Sequence, residues 1–213
     1  MIRHVHDALD QIRSIHRHMV EKQRFKGYSG RARAAAGCLA LLGSVWLARF
    51  PGAGPNHQLL VWGAVAAGAI AINYGAVLIW FFANPAEERK AEHLKPLLEN
   101  LPALGGGALL TYVLVRDGVF QDLPGMWMLL FGLANLASRR VLTRGIGWVG
   151  TYYVAAGTAF LIAPPSTPWP MGLVFFAGEW AGGFVLHYDR EPKPTWASFW
   201  GLASHVKSDE QTN

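Results

Sequence analysis

Charged residues and cysteine are scarce in this chain. Only 15% of the 213 residues are Asp, Glu, Lys or Arg, whereas soluble domains carry roughly a quarter. The single cysteine, Cys38, excludes an intramolecular disulfide framework and any multi-cysteine metal or iron–sulfur site. No HExxH, GxSxG or Walker sequence occurs. These absences argue against an ordinary soluble enzyme, and we expect a protein without catalytic residues, metal or cofactor; an enzyme acting on lipids is the weakest alternative.

Long apolar runs are abundant instead, because 52% of the residues are hydrophobic. A helix that crosses a bilayer needs about 20 mostly apolar residues. Six segments meet this description: 34–50, 59–83, 97–116, 123–138, 146–163 and 169–188. Backbone polar groups in hydrocarbon must be paired within the segment, so each should be a helix. The sequence therefore predicts an all-α membrane protein, and its short connections predict three antiparallel hairpins.

The basic residues lie almost entirely on one side of these segments. Of the 19 Lys and Arg residues, all but Arg49 and Arg116 fall in the two terminal regions or in the connections after the second and fourth segments. Cytoplasmic connections carry this excess of positive charge. The pattern predicts a multi-pass protein with both termini in the cytoplasm. Because flanking charge accounts for the net charge of +5, we expect no nucleic-acid partner.

Both ends of the chain have amphipathic patterns, which divides it into regions 1–33, 34–188 and 189–213. The two apolar faces recur at helical spacing and comprise Ile2, Val5, Leu9, Ile12, His16 and Met19, and then Trp196, Phe199, Trp200, Ala203 and Val206. A basic amphipathic helix at the N-terminus is typical of a segment that lies on anionic lipid. The alternatives are docking on a cytoplasmic partner or on a second copy of the chain. The C-terminal segment is interpreted as a second interfacial anchor.

Glu179 is the one charged residue within the interior of the six segments, about ten residues from either end of the last one. A charge at that depth costs roughly 2.5–3.5 kcal/mol. Every Lys and Arg lies outside the segments or at their ends, so the sequence offers no basic partner. Two arrangements remain: Glu179 is protonated and donates a hydrogen bond, or it faces a wet cavity.

Other polar residues fall near Glu179 when depth is counted along the segments. These are Asn73, Tyr74, Tyr152 and Tyr153, together with His187 and Asn135 nearer the cytoplasmic ends. A cluster of Glu179 with Asn73 and one tyrosine would pair the polar groups without water. We expect either a purely structural polar contact between helices or a site for a ligand, proton or ion. His187 is either a proton relay or an interfacial histidine without a role.

Four stretches of this sequence resemble a family of small six-span bacterial membrane proteins that has no assigned activity. They are "EKQRFKGYSGRARAAAGCLALLG", "LKPLLENLPALGGG", "LFGLANLAS" and "GGFVLHY". The resemblance covers about a third of the chain in matching order, and it implies six spans in the bacterial inner membrane with cytoplasmic termini. Relatives place a carboxylate on the fifth span near the position of Tyr153, whereas this chain has Glu179 on the sixth.

Three functions are compatible with these patterns. The first is a non-enzymatic sensing or regulatory protein that binds a small ligand or proton near Glu179 and signals through its cytoplasmic N-terminal helix. The second is a small proton-coupled transporter or channel. The third is a structural subunit of a larger membrane complex or a homo-oligomer, in which the apolar outer faces contact other proteins.

Overall fold

The computed structural model describes residues 29–52, 54–83, 101–139, 142–188 and 199. This part of the chain contains no strand, and its helices are α1 (Gly30–Ala48), α2 (Pro55–Ala83), α3 (Leu101–Arg116), α4 (Leu123–Ser138), α5 (Ile146–Ile162) and α6 (Trp169–Tyr188), with a single 3-10 turn at Phe120–Asp122 before α4. The predicted all-α class is therefore confirmed for these residues. The amphipathic helices predicted at the two ends lie outside the described residues, apart from Phe199 and the residues from Ser29 onward.

The helix bounds agree with the predicted segments to within one residue except at the first three, of which the third was predicted from residue 97 and is described from Leu101. The fourth and sixth helices have the predicted bounds. α1 begins at Gly30, four residues before the predicted segment, because Ser29 caps it: the Ser29 hydroxyl accepts from the Ala32 amide at 3.3 Å. α2 begins at Pro55, and proline suits the first position of a helix because it lacks an amide proton.

One described helix, α2, is long and apolar enough to cross a membrane. It has 29 residues, which gives a length of about 44 Å at 1.5 Å per residue. Only 6% of its most apolar stretch is buried against the rest of the protein. α3 and α5 are apolar but shorter. α1 and α6 are long enough, with 19 and 20 residues, but Arg33 and Glu179 lower their average apolarity.

The most extensive helix contacts join α4 to α5 and α1 to α6. Each predicted hairpin pair also touches, but α1–α2, α5–α6 and α3–α4 make fewer contacts. α4 and α5 are antiparallel, and their backbones approach through glycines: a Cβ on Gly132 would lie 2.8 Å from the carbonyl oxygen of Gly150. The same distance separates a Cβ on Gly157 from the carbonyl oxygen of Gly125. Small residues two turns apart on both helices thus allow this close packing.

α1 and α6 also approach closely through small residues. Gly30 and Gly183 meet backbone to backbone at one end, and Gly172 meets Ser44 at the other. The Ser44 hydroxyl is fully buried and donates to the Pro168 carbonyl oxygen at 3.1 Å. Between these two points, a Cβ on Gly37 would lie 2.9 Å from the Glu179 Cβ. The first helix is therefore held along its whole length against the last one, and Glu179 lies at their interface.

Two apolar clusters complete the interior. One contains Tyr153 with Met128 and Val149, surrounded by partly buried side chains that include Phe131 and Phe175. The other joins Val77 of α2 to residues at the start of α5 and the end of α6, namely Leu142, Ile146 and Leu186. Neither cluster involves the outer face of α2, which carries Leu60, Ile79 and Phe82 at 72–75% exposure.

Candidate functional site

A buried ion pair between Arg33 and Glu179 is the most distinctive polar feature of the described residues. Arg33 Nε donates to Glu179 Oε2 at 3.1 Å, and Arg33 Nη2 donates to Glu179 Oε1 at 2.8 Å. Two parallel hydrogen bonds of this kind match the planar fork of a guanidinium to a carboxylate. The two residues are only 6% and 5% exposed. The first turn of α1 is thereby bonded to the middle of α6.

Two more helices contribute polar groups to this ion pair. Arg33 Nη1 donates to Asn135 Oδ1 of α4 at 3.0 Å, and Asn135 Nδ2 donates to the Phe131 carbonyl oxygen at 2.7 Å. The Tyr153 hydroxyl of α5 lies 3.1 Å from Glu179 Oε1, to which it donates, and 3.3 Å from the Phe175 carbonyl oxygen. We call Arg33, Asn135, Tyr153 and Glu179 the polar network. It links four helices at one point.

Aromatic rings and glycines enclose the polar network. The Arg33 guanidinium carbon lies 5.8 Å from the centre of the Phe131 ring, within the range of a cation–π contact. Phe131 also packs edge to face against Tyr153, with 5.0 Å between the ring centres. Low polarity around a charged group strengthens its hydrogen bonds and makes the loss of any one of them costly.

Gly178 and Gly182 flank Glu179 and provide the space for its partners. A Cβ on Gly182 would lie 2.6 Å from the Arg33 Cζ, and one on Gly178 would meet the Tyr153 phenol. The sequence pattern of these two glycines is a GxxxG motif, which commonly lets helix backbones approach. In this protein the motif instead admits two large polar side chains to the carboxylate between them.

The structure corrects the prediction that Glu179 has no basic partner. That prediction placed Arg33 outside the first segment because it counted depth from the first uncharged residue. The helix actually begins at Gly30, so Arg33 lies within its first turn and faces α6. Two features of the sequence carried this information: Ser29 is a good helix cap, and Gly182 leaves room one turn from Glu179.

The polar network includes three of the seven residues that the sequence suggested, namely Glu179, Tyr153 and Asn135. Asn73 does not join it; its Nδ2 donates to the Ala69 carbonyl oxygen on its own helix at 2.9 Å. The predicted contact between Glu179 and Asn73 of α2 is therefore wrong. The asparagine of the polar network is Asn135 of α4.

The remaining three suggested residues lie elsewhere. Tyr74 packs beside the Val77 cluster. The Tyr152 hydroxyl donates to the Val174 carbonyl oxygen at 3.1 Å, near the surface. The His187 ring meets the Phe199 ring edge to face, with 5.1 Å between centres. His187 thus belongs to an aromatic contact at the end of α6.

The hydrogen bonds of the polar network converge on one carboxylate. The Glu179 carboxylate accepts hydrogen bonds from two guanidinium nitrogens and from a phenol. Removal of the carboxylate would leave the Arg33 guanidinium without its negatively charged partner, and an unpaired buried charge is strongly unfavourable. Within the described ranges, no group of three His, Cys, Asp or Glu side chains could hold a metal ion.

Comparison with known proteins finds no matching family model, no matching curated protein and no matching solved structure. What the chain does must therefore be argued from its own residues.

Proposed function

We propose that this chain is a non-enzymatic, six-span membrane protein of the sensing type, with both termini in the cytoplasm. The outer surface supports a membrane environment. Ile79, Leu109 and Ile162 come from three different helices and are 65–80% exposed. A soluble protein rarely presents so many large apolar side chains. α2 is long, apolar and hardly buried, which argues against its being the core helix of a soluble domain.

The observation that carries the sensing proposal is the ion pair between Arg33 and Glu179 at the junction of four helices. Arg33 is on the first turn of α1, directly after the basic N-terminal region. A change in the charge of Glu179 would therefore act on the helix that leads into the cytoplasm. Buried charges within membrane-spanning segments commonly mark proton or ion responses. The response would be a population shift between a paired and an unpaired state.

The experiment uses Cys38, the single cysteine of the chain, as a reporter on α1. The Glu179→Gln variant imitates the protonated carboxyl at neutral pH. If the ion pair holds α1, we expect this variant in lipid vesicles to react with a lipid-soluble maleimide about tenfold faster than the wild type, which corresponds to a shift of about 1.4 kcal/mol. Unchanged labelling in a folded Glu179→Gln protein would contradict the proposal.

The matched control is Asp117→Asn. It makes the same carboxylate-to-amide change at the exposed Arg116–Asp117 pair, whose side chains are 59% and 49% accessible. Exposed pairs contribute little to stability, so labelling of Cys38 should not change. The double variant Arg33→Gln/Glu179→Gln removes both charges and should show whether the charge of Arg33 drives the opening.

A structural subunit of a larger complex is the second candidate, favoured by the outer face of α2. This helix touches mainly α1, so most of its surface is available to another protein as well as to lipid. Purification from native membranes under mild detergent would favour this candidate if a stoichiometric partner remains bound. Proton-coupled flux in proteoliposomes that Glu179→Gln abolishes would favour a transporter instead.

A further inference from the structure

Phe199 is fully buried although it lies eleven residues beyond the end of α6. Its ring stacks on Phe184, with 4.8 Å between the centres and 25° between the planes. It also meets the rings of His187 at 5.1 Å and Trp180 at 6.4 Å. Trp180, Phe184 and His187 follow the four- and three-residue spacing of one helix face. We call this face the aromatic cleft.

The backbone of Phe199 is held as well as its ring. Arg31 Nε donates to the Phe199 carbonyl oxygen at 2.6 Å. A hydrogen bond from a charged donor is roughly twice as strong as a neutral one. Phe199 is therefore bound by α6 through its side chain and by α1 through its main chain. The Phe199 ring packs in the aromatic cleft and its carbonyl oxygen accepts a hydrogen bond from Arg31. These two contacts together are more specific than burial against an apolar surface.

The aromatic cleft and the polar network lie next to each other on α1 and α6. Arg31 and Arg33 are two residues apart on the first turn of α1, and they point to opposite sides because each residue turns a helix by about 100°. Arg31 reaches Phe199, and Arg33 reaches Glu179. On α6, Trp180 of the cleft directly follows Glu179 of the network. Gly30 and Gly183 allow the two helix backbones to make close contact beside both sites.

We propose that the aromatic cleft is a docking site for the chain's own C-terminal segment, and that release of Phe199 is coupled to opening of the Arg33–Glu179 pair. The inference rests on the proposed sensing function and specifies its output. When Glu179 loses its charge, the first turn of α1 loses its charged hydrogen bonds to α6. Arg31 then moves with it, the carbonyl of Phe199 loses its donor, and the C-terminal segment is freed for other contacts.

Coupling of this kind is reciprocal, since each event must change the equilibrium of the other by the same factor. Phe199→Ala should therefore loosen α1, and Glu179→Gln should loosen the C-terminal segment. A polar network that only stabilises the fold would respond to its own substitutions and leave Phe199 in place.

The test is hydrogen exchange, measured by mass spectrometry on the full chain in lipid nanodiscs, with attention to the peptide that spans residues 195–203. Phe199→Ala should raise its exchange rate about tenfold, whereas Phe199→Leu, which keeps a large apolar side chain, should raise it less. Glu179→Gln should raise exchange in the same peptide severalfold. Trp148→Ala, which removes an aromatic ring that is 80% exposed, and Asp117→Asn should leave it unchanged.

Each failure overturns a stated part of the inference. If Phe199→Ala leaves exchange unchanged, the docking is wrong. If Glu179→Gln speeds the labelling of Cys38 but not exchange at residues 195–203, the coupling is wrong and the proposed function survives. If Glu179→Gln changes neither measurement, the proposed function is wrong too. Faster Cys38 labelling in Phe199→Ala would establish the reciprocal effect.

Discussion

Arg33 and Glu179 are 146 residues apart in sequence and form a two-point hydrogen-bonded ion pair between the first and last helices. The pair explains how a carboxylate is accommodated in the middle of a largely apolar helix. Its partners Asn135 and Tyr153 come from two further helices, so the polar network joins four helices and fixes how they are rotated relative to one another. A single acid that looks isolated in sequence is thus the centre of the most connected site in the described part of the chain.

We expect removal of only one partner to cost more than removal of both. Glu179→Gln leaves a buried guanidinium without its carboxylate, and breaking a buried pair in this way destabilises a protein by about 3–5 kcal/mol. Replacing both residues with methionine removes the unpaired charge and should recover most of that loss. The measurement is the free energy of unfolding in detergent, taken as a double-mutant cycle through Arg33→Met and Glu179→Met. Additive effects of the two single substitutions would show that the residues do not interact.

Tyr153 should contribute through its hydroxyl as well as its ring. Tyr153→Phe keeps the packing against Phe131 but removes the donor to Glu179 Oε1, and a hydrogen bond to a charged group contributes about 1.5–3 kcal/mol. Tyr152→Phe is the matched control, because its hydroxyl meets a backbone carbonyl near the surface. That change should cost about 1 kcal/mol or less. Equal losses in the two variants would argue against the contact with Glu179.

The helices themselves could be read from the sequence, because uninterrupted apolar runs bounded by polar residues define them. The fourth and sixth helices, Leu123–Ser138 and Trp169–Tyr188, have the predicted bounds for this reason. The predicted first segment begins four residues late because it counts Arg31 and Arg33 with the basic cytoplasmic region 1–33. A helix cap at Ser29 outweighs that charge, since it satisfies a free amide at the helix start.

The partners of Glu179 could not be read from depth along the segments. That measure places Asn73 near the level of Glu179 and Asn135 nearer the cytoplasm, whereas helix packing brings Asn135 into the polar network and leaves Asn73 out. α4 approaches α5 at Gly132 and Gly150, which brings Asn135 and Tyr153 to the same junction. Pairs of glycines seven residues apart occur in both helices, at Gly125 and Gly132 and at Gly150 and Gly157. That repeat is the sequence signal that could have predicted the close pairing of these two helices.

The glycine contact between α4 and α5 gives a further prediction. Gly132→Ala would bring a methyl group within 2.8 Å of the Gly150 carbonyl oxygen, and the helices must separate to admit it. Such overpacking costs about 1–3 kcal/mol, which should appear as a lower unfolding midpoint. Gly63→Ala is the control: it lies on α2 with no atom within 4 Å of its added carbon, so it should be neutral or stabilising by up to about 1 kcal/mol. Similar effects of both substitutions would contradict the close backbone contact.

A charge placed on the outer face of α2 would test whether this helix crosses a membrane. Ile70 lies near the middle of α2 and is 42% exposed, so a soluble protein would accept lysine there without loss. In a bilayer the same substitution places a charge near the centre of the hydrocarbon, at a cost of about 2.5–3.5 kcal/mol. We therefore expect Ile70→Lys to reduce the amount of chain that remains in the membrane fraction after alkaline extraction. Gln58→Lys, near the start of the same helix, adds an equal charge where it can reach the interface and should have little effect. Normal yield of a soluble Ile70→Lys protein would show that α2 does not cross a membrane.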